Sequence, residues 1–257
     1  MLNDELLERY SRQILLPEID LVGQENIRQA SVLVVGCGGL GSMVTLFLAG
    51  AGVGKLTLVD ADSVELSNLH RQLAFRESDI DQPKAQALKN QLSSLNSEIT
   101  VTSALRRFGD DAKSDAELLS DVDIVIDATD NLASRHAIER FTRDAQKPWI
   151  MGAATRLYGQ IAAFSQSRAE GCYQCLAPSE DDSRGFDCRN EGILGPVIGV
   201  IAAWQAQDAL MFLSGQPLEW GVLRIYDATQ QRIDRLAVTP REGCHTSESG
   251  VKPVGIG

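Results

Sequence analysis

Residues Gly36-Cys-Gly-Gly-Leu-Gly41 follow an apolar run of β character, Val32-Leu-Val-Val-Gly36, and lead into a helical stretch. That order of signals commits the region to a strand, a tight turn and a helix. Gly36 permits the turn, Gly38 and Gly39 let the backbone approach a phosphate, and Gly41 allows close packing of helix on strand. The helix N-terminal N–H groups then face an anion. Further on, Leu58-Val-Asp60-Ala-Asp62 puts an acid, Asp60, at the end of a second strand, where a carboxylate accepts hydrogen bonds from ribose hydroxyls. Alone, the glycine turn leaves two readings open: a dinucleotide site, or a strand-to-helix turn without a ligand.

The residues after Asp60 bear on which nucleotide is bound. Asp62 is followed by Ser67-Asn68-Leu-His-Arg71-Gln72, then Gln82-Pro-Lys84, then Ile124-Val-Ile-Asp127-Ala-Thr-Asp130-Asn131. Asn68, Arg71, Gln72 and Lys84 supply donors and positive charge suited to neutralising a triphosphate during attack at phosphorus. Asp130, just past a buried strand, belongs at the carboxyl edge of a parallel sheet and could hold Mg²⁺. Singly, each has a plainer reading. Lys84 after Pro83 could be a surface residue at a helix start, and Asp130 with Asn131 could cap the next helix. A nicotinamide dehydrogenase has no need for the whole set.

These motifs, with Arg9-Tyr-Ser-Arg12-Gln-Ile-Leu near the start and Gly171-Cys172-Tyr-Gln-Cys175, Cys188-Arg-Asn-Glu-Gly-Ile-Leu-Gly-Pro196 and Gly243-Cys244 later, give a chain that resembles the MoeB/ThiF family. Its members are adenylyltransferases that activate ubiquitin-like sulfur carriers and are relatives of ubiquitin-activating enzymes. The resemblance implies adenylation by ATP of the C-terminal glycine carboxylate of a carrier ending in Gly-Gly, serving molybdopterin or thiazole synthesis, with a separate protein as sulfur donor. Under it, Asp60 binds ribose, Gly38, Gly39 and Gly41 the phosphate region, Arg71 and Lys84 the phosphates, and Asp130 Mg²⁺. Arg12 matches an arginine that reaches into the neighbouring subunit's site, which implies a homodimer. Cys188 matches a cysteine that can form a covalent link to the carrier. Arg184 and Arg189 favour its thiolate and Asp187 opposes it. Two other readings are a dehydratase acting on a modified adenosine of transfer RNA and a NAD-binding dehydrogenase.

Cysteine spacing adds a second layer of chemistry. Cys172-x-x-Cys175 has the spacing by which a turn offers two thiolates to one tetrahedral zinc, and Cys244 could add a third. The family has a second Cys-x-x-Cys here, whereas this chain reads Cys244-His-Thr-Ser247, so the fourth ligand is open. Serine is a poor zinc ligand, and His245 adjoins Cys244 too closely for both to reach one metal easily. A zinc ion here would be structural; the alternatives are a reduced clip or a redox pair. Cys37, inside the glycine turn, reads as a packing residue.

The remaining signals fix the organisation. A chain of 257 residues, 44% hydrophobic, can bury one substantial core. The expectation is a single adenylating domain over residues 1–245 and a disordered tail over 246–257. Apolar runs at 32–36, 56–60 and 122–127 read as buried parallel strands alternating with helices near 40–51, 83–95 and 131–145. Short helices are expected over 4–29 and a weaker strand near 99–104. A strand over 149–152 pairs with 160–164 after a turn at Gly159, and strands follow at 223–226 and 232–238. The fold class is therefore α/β: a Rossmann-like nucleotide-binding fold whose parallel N-terminal half is continued by antiparallel strands. The apolar stretch from Gly195 to Leu213 carries Gln205, Gln207 and Asp208 and reads as a buried helix, not a membrane span. A net charge of −11 argues against a nucleic-acid partner. The acidic start Met1-Leu-Asn-Asp-Glu5 has no signal-peptide core, so a cytoplasmic protein is expected.

Overall fold

The computed structural model describes residues 2–167, 169–177, 192–241 and 244. All eight described strands join one sheet in the order β3-β2-β1-β4-β5-β6-β7-β8. The strands are β1 (Ser31–Val35), β2 (Lys55–Val59), β3 (Thr100–Ala104), β4 (Ile124–Asp127), β5 (Trp149–Thr155), β6 (Tyr158–Phe164), β7 (Val222–Asp227) and β8 (Arg232–Ala237). Strands β3 to β5 are parallel, with Val32 beside Leu56 on one side and Ile124 on the other. Strands β6, β7 and β8 continue the sheet antiparallel. This is the mixed α/β sheet that the sequence predicts. Every residue of β1, β4 and β5 is buried, because helices cover both faces of the parallel half; hence those strands are apolar without alternation.

One face carries α2 (Asp20–Gln29), α3 (Gly39–Ala51), α4 (Lys84–Leu95) and α8 (Gly195–Leu213) around a core that includes Val32, Val44, Leu56 and Ile201. The other carries α5 (Ala112–Ser120), α6 (Leu132–Asp144) and the single turn α7 (Tyr173–Leu176) around Leu33, Val125 and Trp149. Helix α1 (Asp4–Ile14) starts from an Asn3 cap and buries Leu6 and Tyr10. Helix α8 is long and apolar enough to cross a membrane, but half of that stretch is buried within the fold. Its Gln205 donates to the main-chain carbonyls of Asp127 and Ile150 from inside the core.

Two details depart from the sequence expectation. The β5–β6 turn is made by Arg156 and Leu157, with Arg156 at φ 53, and Gly159 lies inside β6. Glycine is needed there for space, since a Cβ would come 2.3 Å from Ile201. Helix α5 is the second departure, a polar segment that the expected pattern left without a helix. It is started by Asp111, whose carboxylate accepts from the main-chain N–H groups of Lys113 and Ser114.

The order reverses between β1 and β4, and such a switch point opens a crevice at the carboxyl ends of those strands. The glycine turn follows β1 and the 127–131 segment follows β4, so both line that crevice. The seating of α3 gives the first test. A Cβ at Gly41 would sit 1.8 Å from the Gly36 carbonyl oxygen, whereas at Gly38 the nearest atom is 3.6 Å away, on Gln72. Gly41→Ala is expected to lose about 3 kcal/mol of stability and Gly38→Ala no more than about 1 kcal/mol, read from denaturant melts.

Candidate nucleotide site

Gly36 adopts φ +94 with its Cα against the main chain of Ala128, a conformation and a space that only glycine fits. The turn it starts is braced from β2. Asp60 Oδ2 accepts from the N–H of Cys37 at 2.6 Å, and Asp60 Oδ1 accepts from the N–H of Asp62 at 2.7 Å. Burial pushes the Asp60 carboxyl above its ordinary value, while those two N–H groups and the Lys84 ammonium pull it down. Cys37 is fully buried in the core, and the same burial with the Asp60 charge nearby holds its thiol far up. The first N–H groups of α3 have no partner within the helix and face the crevice, as in any helix that receives an anion.

Residues 67 to 72 cross in front of this turn. The carbonyl of Arg71 lies 3.7 Å from where a Gly39 Cβ would be, and the carbonyl of His70 lies 3.2 Å from the same point on Gly195 at the start of α8. Asn68 and Gln72 are both buried, and the side-chain oxygens Asn68 Oδ1 and Gln72 Oε1 have no hydrogen-bond partner. Buried amide oxygens left unsatisfied are costly, and an incoming donor relieves that cost. Arg71 Nη1 donates to the Ser67 carbonyl at 2.9 Å and lies 2.8 Å from His70 Nε2. Lys84 is not a surface residue. At 7% exposure its ammonium points to Asp62 Oδ2 at 3.1 Å, so Asp62 anchors the lysine beside the turn.

On the β4 side, the segment after Asp127 is held from beneath. Asp127 is fully buried, its Oδ1 accepts from the N–H and hydroxyl of Thr129 at 2.9 and 2.6 Å, and its Oδ2 lies 3.3 Å from Arg135 Nε. Burial raises the Asp127 carboxyl, and Arg135 and Thr129 oppose that. Asn131 is the α6 cap, its Oδ1 accepting from the N–H of Ser134. Asp130 is exposed, and its Oδ1 accepts from Asn131 Nδ2 at 3.2 Å. The capping role anticipated for the pair thus falls to Asn131, leaving Asp130 at the mouth of the crevice as an oxygen donor suited to a hard cation.

A second constellation lies on the far face. The sulfurs of Cys172, Cys175 and Cys244 are 3.7, 3.2 and 3.3 Å apart, all buried. A zinc tetrahedron with bonds of about 2.3 Å has sulfur–sulfur edges of about 3.8 Å, so three thiolates here fit such an ion after small outward movement. The buried carboxylate of Glu139 lies near Cys172 and accepts from Trp149 Nε1 at 3.2 Å. Burial and that carboxylate push the Cys172 thiol up. His245, Ser247, Cys188 with Arg184, Asp187 and Arg189, and the 246–257 tail lie outside the described residues.

Arg12 is not brought to this crevice by its own chain. It is exposed in the last turn of α1, where its neighbour Gln13 donates to the Ala51 carbonyl at the C-terminal end of α3. That end lies about 18 Å along the helix from the glycine turn. Sequence reading missed Arg135, Glu139 and Tyr173; the one signal available was the place of Tyr173 between the paired cysteines, since charged residues on α6 read as solvated.

The profile of the ThiF family matches residues 10–246. The sulfur carrier protein ThiS adenylyltransferase of Escherichia coli K12 is 40% identical over 243 residues, covering 95% of this chain and 96% of that protein. The molybdopterin-synthase adenylyltransferase of Salmonella typhimurium LT2 is 39% identical, covering 95% and 97%. The solved structure of E. coli MccB with ATP superposes with a TM-score of 0.80 at 25% identity, covering 93% of this chain and 73% of that one.

The Asp60 brace has a pH signature. Its carboxyl is raised above the ordinary 3.8, so the folded chain holds a proton that the unfolded chain gives up. Its contribution to stability is therefore complete below the unfolded value and is lost as pH rises through the folded one. The stability difference between wild type and Asp60→Asn should fall as pH rises above the ordinary 3.8 in denaturant titrations. A difference independent of pH contradicts this.

Proposed function

The chain belongs to the ThiF family, and from that premise we propose that it adenylates the C-terminal glycine carboxylate of a ubiquitin-like sulfur carrier, of the kind used in thiamine or molybdopterin synthesis. The observation that carries this reading is the crevice itself. An open glycine turn, the unsatisfied oxygens of Asn68 and Gln72, and the buried Lys84 converge where the sheet order reverses. A dehydrogenase reading leaves Arg71, Lys84 and Asp130 unexplained.

The carrier carboxylate is ionised at neutral pH, so the reaction needs no strong base. A carboxylate oxygen bonds to the α-phosphorus of ATP, the bond from that phosphorus to the bridging oxygen breaks, and pyrophosphate leaves with its electron pair. The products are an acyl-adenylate and pyrophosphate. Asp60 receives the ribose hydroxyls, and Gly38, Gly39 and Gly41 bring main-chain N–H groups to the phosphates. Lys84 and Arg71 offset the charge that develops on the leaving group. Asn68 and Gln72 orient the nucleotide through their amides. Asp130, with Asn131 beside it, would hold Mg²⁺, which would neutralise phosphate charge when bound. Cys172, Cys175 and Cys244 would hold a structural zinc, away from the chemistry. Cys188 is proposed as an auxiliary nucleophile toward the activated carrier, with a separate protein as sulfur donor.

Arg12 completes the site only from a neighbouring copy, which makes the working unit a homodimer with two composite sites. The function is tested by exchange of labelled pyrophosphate into ATP with each candidate carrier ending in Gly-Gly; exchange that depends on one carrier supports the reading and names the pathway. ATP binding without exchange for any carrier overturns it. The composite site is tested by mixing. Arg12→Ala and Asp130→Asn, each expected to keep only about 1% of wild-type exchange alone, should recover about a quarter of it when equal amounts are refolded together, because half the dimers then carry one intact site. No recovery contradicts sharing of Arg12.

A further inference from the structure

We propose that Arg135 is a positioning residue for the adenylation step, setting Asp130 through the main chain of Thr129. This rests on the adenylation reading given above. Arg135 sits in the first turn of α6, where it is buried. Its Nη2 donates to the Thr129 carbonyl at 2.7 Å while its Nε faces Asp127 Oδ2 at 3.3 Å. The other oxygen of Asp127 takes the N–H and the hydroxyl of the same Thr129. The main-chain N–H and C=O of one residue, on the two peptide units that flank its Cα, are thus both tied to a single buried ion pair. On the other side of Asp130, the Asn131 side chain is tied into the α6 cap. Asp130 is the exposed residue between two fixed points.

The clamp is also wedged from behind. The Tyr173 ring packs edge-on against His136, the residue next to Arg135, at 5.2 Å and against Trp149 at 5.7 Å. In front, Ala128 receives the close approach of Gly36, with 2.7 Å between the Ala128 carbonyl oxygen and the Cβ position of that glycine. A shift of the 127–131 segment therefore meets the glycine turn directly.

A buried ion pair is weak evidence for stability, since apolar side chains of the same volume often serve the fold as well. What this pair supplies is geometry. The planar fork of arginine reaches a carboxylate and a carbonyl at once, whereas a lysine ammonium keeps the charge without the fork.

The test follows from that difference. Arg135→Lys keeps a cation against Asp127 and should melt close to wild type, with KM for ATP within about threefold. Its kcat for carrier-dependent pyrophosphate exchange should fall about 10- to 100-fold, as misplacement of a site group by about 1 Å does. In an Asp130→Asn background the same substitution should change kcat little, since residues acting as one unit are non-additive. Thr129→Val, which removes one hydroxyl bond and keeps the pair, should lower kcat in the same direction at unchanged melting temperature, and it carries the test if Arg135→Lys does not fold. An unchanged kcat per folded molecule in these variants, or a full additional loss in the Asp130→Asn background, overturns the positioning role while wild-type exchange stands. Absence of exchange from wild type overturns the adenylation reading and this role with it.

Discussion

The distance of 1.8 Å between the Cβ position of residue 41 and the carbonyl of Gly36 means that α3 starts almost in contact with the end of β1. Everything else in the crevice is referenced to that seating. It brings the open N–H groups of α3 to the carboxyl edge of the sheet, and Asp60 locks the turn from β2 by binding the Cys37 amide. The strand order does the rest, since β2 and β4 flank β1 and send their own loops to the same edge.

Charge in the crevice is arranged with little freedom. The chain as a whole carries a net charge of −11, and acids stand beside the buried cations of the crevice as well. Lys84 is buried and pointed by Asp62, and Arg135 is buried and pointed by Asp127, each cation held by an acid from a strand end or the loop after it. The two pairs serve different ends. Lys84 opens toward the turn and lowers both the Asp60 carboxyl and the Cys37 thiol, whereas Arg135 lies under the backbone and holds the segment bearing Asp130. Preorganised groups of this kind need not reorient when charge develops, which is where electrostatic catalysis gains most.

Much of the fold is legible in the residues because both faces of the parallel half are covered, which turns β1, β2 and β4 into continuous apolar runs. The glycine turn, the acid after β2 and the Asp130-Asn131 pair are legible for a similar reason, since each sits at a fixed offset from such a run. What escapes reading is tertiary. Arg135, His136 and Glu139 look like the solvated side of α6, yet they form its buried side, and the polar stretch of α5 hides a helix whose cap is Asp111. Lys84 is legible as a phosphate ligand only in company with the other motifs, and its enclosure is tertiary. Cys244 comes 69 residues after Cys175, and only the fold closes that gap to 3.3 Å. The β5–β6 turn falls at Arg156 and Leu157 because Gly159 is spent on making room for Ile201, a contact between distant segments.

These features converge on one chemical claim, that a carboxylate oxygen of a protein partner becomes bonded to the α-phosphorus of ATP in this crevice. The most direct measurement is isotope transfer. A carrier whose C-terminal carboxylate bears heavy oxygen is incubated with ATP and the enzyme, the product is cleaved with hydroxylamine, and the released AMP is weighed by mass spectrometry. The account predicts AMP carrying one heavy oxygen from the carrier. AMP or ADP formed without the label would mean that water or another group attacks the nucleotide, and would contradict carboxylate adenylation.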